Sequence, residues 1–156
     1  MSRILSIDYG DARVGIAITD PLNITAQGLE TIQRNNSDKT ILKRLDEIFA
    51  QYDVDTIVIG MPYNMNGSKT ERAEITEKFI HKLKCKYPKK KIDIMDERLT
   101  TVVAHKTMNF LDVNKKKKKS IVDTISAEYI LETYIQKNQK IEKNSWKNII
   151  NRVLYV

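Results

Sequence analysis

Between two stretches rich in polar residues, the chain carries "DTIVIG", Asp55 to Gly60, a short run that is almost wholly apolar. A half-exposed strand would alternate apolar and polar side chains. A run without alternation belongs to a central strand buried on both faces, and such a strand demands helices on either side of its sheet. The run is thus as expected of the middle strand of a layered α/β arrangement.

The flanking segments supply the layers. Arg3 to Asp8 and Arg13 to Thr19 read as two strands joined by a hairpin at Tyr9-Gly-Asp-Ala12, and Gln27 to Gln33 as a third. Ser37 is placed to cap a helix whose apolar face is Ile41, Leu42, Leu45, Ile48 and Phe49. After "DTIVIG" comes the loop "GMPYNMNGS". Ser68, with Glu71 three residues on, has capping-box spacing for a second helix bearing Phe79, Ile80 and Leu83. "KKIDIMDE" alternates as a fifth strand. Thr100 or Thr101 is placed to cap a helix from Val103 to Leu111, Lys115 to Lys119 read as a basic loop, and Ser120 opens a last core helix to about Gln136. The order β-β-β-α-β-α-β-α-α predicts an α/β sandwich of mixed strand direction.

The chain has 156 residues, enough for one domain with a full core, and no apolar run long enough to cross a bilayer. It lacks a signal-peptide pattern, and its lone Cys85 cannot form an internal disulfide, so the cytoplasm is the expected location and no membrane partner is expected. A net charge of +7 favours a polyanionic partner, nucleic acid first.

Four acids stand at strand ends or on the core helix. Asp8 closes the first strand, Asp96 and Glu97 close the fifth, and Asp123 shares a helix face with Ala127, Ile130 and Tyr134. Ligand sites of open α/β sheets collect beyond the carboxyl ends of the strands. Carboxylates gathered there repel unless cations neutralise them, and hard oxygen donors select Mg²⁺ or Mn²⁺. Asp8, Glu97 and Asp123 are thus candidate catalytic residues and metal ligands for phosphodiester hydrolysis. Each has a structural alternative: Asp8 as a turn residue, Glu97 as a partner of Arg98 or a helix cap, and Asp123 as the capping-box acid of Ser120.

Four motifs together resemble the YqgF family. "DYGDARVGIAITD" is similar to its D-x-G-x-x-R-x-G opening, "GMPYNMNGSKTERA" to its G-[LM]-P-x-N-x-x-G-[ST] loop with an Arg-Ala helix entry, "DERLTT" to its fifth-strand motif, and "KKKKKSIVDTISAEYIL" to its closing lysine-to-VDxxAA segment, with Ser126 where alanine is usual. The resemblance runs from about Ile4 to Ile135. It implies a ribonuclease H-like three-layer fold, a mixed five-stranded sheet flanked by helices, related to the RuvC Holliday-junction resolvases. It also implies a metal-dependent nuclease with Asp8, Glu97 and Asp123 as catalytic acids. Family members are described as resolvases and as nucleases maturing the 5′ end of pre-16S ribosomal RNA. The second activity is the expectation here, because a resolvase must cut two symmetric strands with paired sites. Pre-ribosomal RNA is therefore the expected partner, with branched DNA as the alternative.

The matched residues acquire physical roles. Gly10 permits a positive φ and a close backbone approach, and Gly15 leaves room for substrate or a helix. Arg13 and Arg98 can grip phosphate as planar forks, or serve in salt bridges. Asn64, Ser68 and Arg72 sit around a helix N-terminus suited to anions. Lys115, Lys116, Lys117, Lys118 and Lys119 can follow a nucleic-acid backbone, or be merely solvated. Tyr9 and Tyr63 can stack on bases or pack in the core.

Two departures matter. Many ribonuclease H-like nucleases carry a further acid at the end of the fourth strand, where this chain has Gly60-Met-Pro-Tyr-Asn64. This keeps open a protein of the same fold that binds nucleic acid with weak or no cleavage. A phosphotransferase of the actin and sugar-kinase type also starts D-x-G in a hairpin, but clamps nucleotide between two such domains, for which this chain is too short. The second departure is the tail. Residues 1–137 form the nuclease domain, and 138–156 an extension, expected helical. Ser145 is its candidate cap, and Trp146, Ile149, Ile150, Val153 and Leu154 form one face to cover the domain or a second subunit. A monomer and a homodimer are both compatible.

Overall fold

The apolar run forms the middle of the sheet. In the computed structural model, which describes residues 2–99 and 115–154, five strands pair in the order β3-β2-β1-β4-β5. They are β1 (Arg3–Tyr9), β2 (Arg13–Thr19), β3 (Ala26–Gln33), β4 (Val54–Met61) and β5 (Lys91–Asp96). β1, β2 and β3 pair antiparallel, whereas β1 with β4 and β4 with β5 pair parallel, giving the expected mixed sheet.

Alternation along the strands sorts side chains between two unequal faces. Leu5, Ile7 and Tyr9 of β1, with Ile57, Ile59 and Met61 of β4, enter the larger core beneath helices α1 (Asp38–Gln51) and α2 (Glu71–Lys86). Ile41, Leu45 and Ile48 of α1 and Phe79 and Leu83 of α2 are fully or almost fully buried there. Truncating one of these aliphatic side chains to alanine would cost about 2–5 kcal/mol. The opposite face is covered by a single helix, α3 (Lys115–Leu154), which seats Ala127, Leu131 and Ile135 over Ala17, and Ile130 and Tyr134 over Val58 and Met95.

Several local expectations are corrected. Ser37 does cap α1, accepting from the Lys39 amide, but α2 is capped by Thr70, which accepts from the Ala73 amide at 2.9 Å, and not by Ser68. Lys115 to Lys119 are helical from the first, because lysine is a competent helix former and nothing in the run breaks a helix. The last core helix therefore starts at Lys115 rather than Ser120 and continues unbroken through Ser145, which caps nothing. No glycine follows Gly67 and no proline follows Pro88, so the sequence holds no stop signal between the core helix and the tail. Residues 139–154 leave the domain as an exposed arm of that helix, so the tail does not cover its own domain. Gly10 has no positive φ. A Cβ there would lie 2.4 Å from the Arg13 carbonyl oxygen, which accepts the Gly10 amide across the hairpin. The helix expected from Val103 to Leu111, with its caps, lies outside the described residues.

Candidate active site

The strand period decides which acids meet. Ser6 faces α3, donating its hydroxyl to the Ala127 carbonyl at 2.6 Å, so Asp8, two residues on, faces the same helix one turn nearer its start, where Asp123 stands. On β5, Met95 packs under α3, and Glu97, two residues on, shares its face. Asp96 points to the other side. The chain turns into a short 3₁₀ turn, Glu97–Leu99, which carries the Glu97 carboxyl back over the sheet.

There it fills the place left by a missing side chain. A Cβ on Gly60 would sit 2.4 Å from Glu97 Oε1 and 2.7 Å from Glu97 Cγ. Gly60 follows Ile59, the partner of Ile7, so it lies beside Asp8. The absent fourth-strand acid is thus the seat of Glu97. Sequence reasoning registered the gap but not its occupant. The signal was a glycine one strand over from Asp8, which lets a long side chain from β5 cross β4.

The carboxyl groups of Asp8 and Glu97 stand side by side. Burial, most of all, pushes the Asp8 carboxyl well above the usual carboxylate range. The negative charges of Glu97 and Asp123 push it further, and Arg72, at the start of α2, pulls it down. Asp123 is near enough to act on Asp8, but its carboxylate accepts from Arg13 Nε at 2.7 Å. The backbone of α3 approaches closely here because β2 offers Gly15, where a Cβ would lie 2.1 Å from the Asp123 carbonyl oxygen. The space left by Gly15 is therefore taken by a helix.

The remaining candidates separate into those that face the acids and those that brace the rim. Arg13 and Arg72 face them. Arg98 is committed elsewhere: it forms a forked pair with Asp96, holding that carboxyl below its usual range, and donates to the Met65 carbonyl at 3.2 Å. It ties β5 to the Asn64–Ser68 loop. Asn64 and Ser68 close that loop on itself, through Asn64 Nδ2 to Ser68 Oγ at 2.8 Å and the Asn64 amide to the Ser68 carbonyl at 2.9 Å. Tyr9 is a core residue, stacked on Phe79 at 4.2 Å and donating to Asp38. Lys115 to Lys119 begin the helix that carries Asp123, two turns nearer its N-terminus.

Among the described residues, no three His, Cys, Asp or Glu side chains converge closely enough to form a ready metal cage. The donor set is nevertheless right for a hard cation: oxygen only, two carboxyl groups side by side and a third near them.

The model of the family described as "RuvX: Holliday junction resolvase" matches residues 2–137. The chain belongs to the RuvX family. Among its relatives, one from Ruminiclostridium cellulolyticum is 53% identical over 86% of this chain and 94% of its own, and one from Acetivibrio thermocellus is 45% identical over 89% and 99%. Both are described as "Putative pre-16S rRNA nuclease". A solved structure, "T. thermophilus RuvC in complex with Holliday junction substrate", shares the fold with a TM-score of 0.55 over 88% of this chain and 97% of that one, at 9% identity. The ribonuclease H-like, three-layer expectation is thereby met, and the RuvX match stops where the helical arm begins.

Proposed function

We propose that this RuvX chain is a metal-dependent nuclease that hydrolyses phosphodiester bonds in maturing the 5′ end of pre-16S ribosomal RNA. The observation that carries this reading is the Asp8–Glu97 contact at the carboxyl edge of the central strands, with Asp123 alongside. Burying two touching carboxyl groups destabilises the fold unless a proton or cation joins them, so the pair is held for a purpose other than stability. The substrate follows from relatives that match this chain over nearly their whole length.

Mg²⁺ or Mn²⁺ would be held by Asp8 and Glu97, with Asp123 completing the set after turning from Arg13. When bound, it would acidify a water and stabilise charge on the phosphate oxygens. The chain's own contribution is positional. Gly60 seats Glu97, Gly15 brings Asp123 to β1, and Arg13 and Arg72 supply positive charge at the mouth where a phosphate backbone would lie. Lys115 to Lys119, earlier on the helix that carries Asp123, are assigned to the nucleic-acid backbone in this reading. No helix among the described residues is long and apolar enough to cross a membrane.

The test is to map the 5′ ends of small-subunit RNA in cells carrying Asp8→Asn, and to assay trimming of a precursor by purified protein with Mg²⁺ or Mn²⁺. Extended ends and lost trimming are expected. Normal ends, with symmetric cutting of a four-way junction in vitro, would overturn the choice in favour of a resolvase, the reading that the family's own description favours.

A further inference from the structure

The arm of α3 carries Trp146, Ile149, Ile150 and Val153 at spacings of three and four, one continuous stripe along one side of the helix. The side chains are exposed: Trp146 by 65%, Val153 by 76%, Ile149 and Ile150 by about half, and Leu154, at the border of the stripe, by 68%. We propose that this stripe is an antiparallel dimer interface and that its occupant is the same stripe of a second copy of this chain.

The position of the stripe restricts the partner. Ile135 and Trp146 stand about three helical turns apart, so the stripe continues the face by which α3 packs on the sheet. A helix laid on it parallel to α3 would have to run its earlier turns through the space occupied by the sheet. An antiparallel helix meets the sheet only with its tip. At that point there is a receiving surface, a groove between α3 and the β2–β3 turn lined by Ile4, Leu22, Ile24, Ile135, Gln139 and Glu142. Leu22 and Ile24 are 62% and 60% exposed there. Overlaying two arms antiparallel places Val153 and Leu154 of one copy against Leu22 and Ile24 of the other. It also brings Arg152 of one copy beside Glu142 of the other, and Glu142 is the one acid between residues 138 and 154.

The area is adequate. The exposed stripe offers roughly 600 Å² of apolar surface per copy, and with Leu22 and Ile24 it approaches the roughly 800 Å² per partner of a stable interface. The RuvX match ends at residue 137, so the arm adds assembly to a domain that does not need it for its fold. In the antiparallel pair the two Asp8–Glu97 sites face apart, each about 40 Å along the helix from the crossing point, so each works alone.

The experiment is sedimentation equilibrium of the full chain, combined with the emission of Trp146, the only tryptophan. A mass of two copies is expected, with emission shifting to the blue as concentration rises. Ile150→Lys should weaken association about 100-fold while leaving circular dichroism and nuclease activity per chain unchanged, and Leu22→Lys should weaken it through the receiving groove. In a Cys85→Ser background, a mixture of Glu142→Cys and Arg152→Cys chains should cross-link preferentially to each other. A monomer at all concentrations overturns the proposal. So do self-cross-linking of Glu142→Cys chains, which reports a parallel pair, and Trp146 emission that shifts only with anionic lipid vesicles.

Discussion

Gly60→Ala should silence the enzyme without unfolding it. The backbone at Gly60 is not in the positive-φ region, so alanine is conformationally acceptable and better suited to a strand than glycine. The only obstacle is space. The new methyl would lie 2.4 Å from Glu97 Oε1 and 2.6 Å from Ile130 Cδ1, whereas ordinary contact begins at 3.4 Å. Glu97 must therefore retreat by about 1 Å. Its carboxyl is the free end of a flexible side chain on a turn, so it can do this by rotation, and overpacking of this kind costs about 1–3 kcal/mol. A misplacement of 1 Å in a catalytic group costs about 100-fold in rate. Urea denaturation should thus show a folded, cooperative protein, and precursor trimming should fall by about two orders of magnitude. The retreat also takes the Glu97 charge from Asp8, so the Asp8 carboxyl, followed by NMR, should titrate at lower pH than in the wild type. Full activity in folded Gly60→Ala, or an unmoved Asp8 titration, would refute the claim that Gly60 exists to seat Glu97.

Asp8→Asn should abolish cleavage yet stabilise the chelator-treated protein at pH 7. Because the folded-state pKa of Asp8 is raised, wild-type stability falls as pH climbs from the ordinary carboxylate range through that raised value, and the variant is spared this fall. Melting temperature against pH in EDTA checks the sign, and a variant less stable than wild type at pH 7 contradicts it. Gly15→Ala should cost more than 3 kcal/mol, roughly, because its methyl meets the Asp123 main chain, which cannot rotate aside; a melting temperature within a degree or two of wild type would refute this. Replacing Lys115 to Lys119 by serine should weaken RNA binding and flatten its log–log salt dependence by roughly 0.7–0.9 for each phosphate that a lysine had neutralised. An unchanged salt slope would leave those lysines merely solvated.

Some of this was readable in advance. The helical period places Asp123 with Ala127, and the ends of two strands place Asp8 and the pair Asp96 and Glu97 at one edge of the sheet, whereas the choice of Glu97 over Asp96 rests on the resemblance to the YqgF family. What periodicity cannot supply is pairing across the chain. Arg13 with Asp123 and Glu97 over Gly60 depend on how a helix and a turn dock on strands far away in sequence. Ser68 and Thr70 are both capping residues two positions apart, and only the docking of α2 selects the second. The lysine run misled because charge was read as loop, although side-chain charge decides little where the backbone is free to remain helical.

The unbroken course of α3 makes a mechanical beam of it. The clamp runs from Asp123, whose main chain lies against Gly15 of β2, through Ala127 and Leu131 to Ile135, about 18 Å of helix, and Leu154 stands about 28 Å beyond it. A beam held along such a length bends at its free end before it tilts in its seat. The arm can be loaded and unloaded while Asp123 keeps its place beside Asp8.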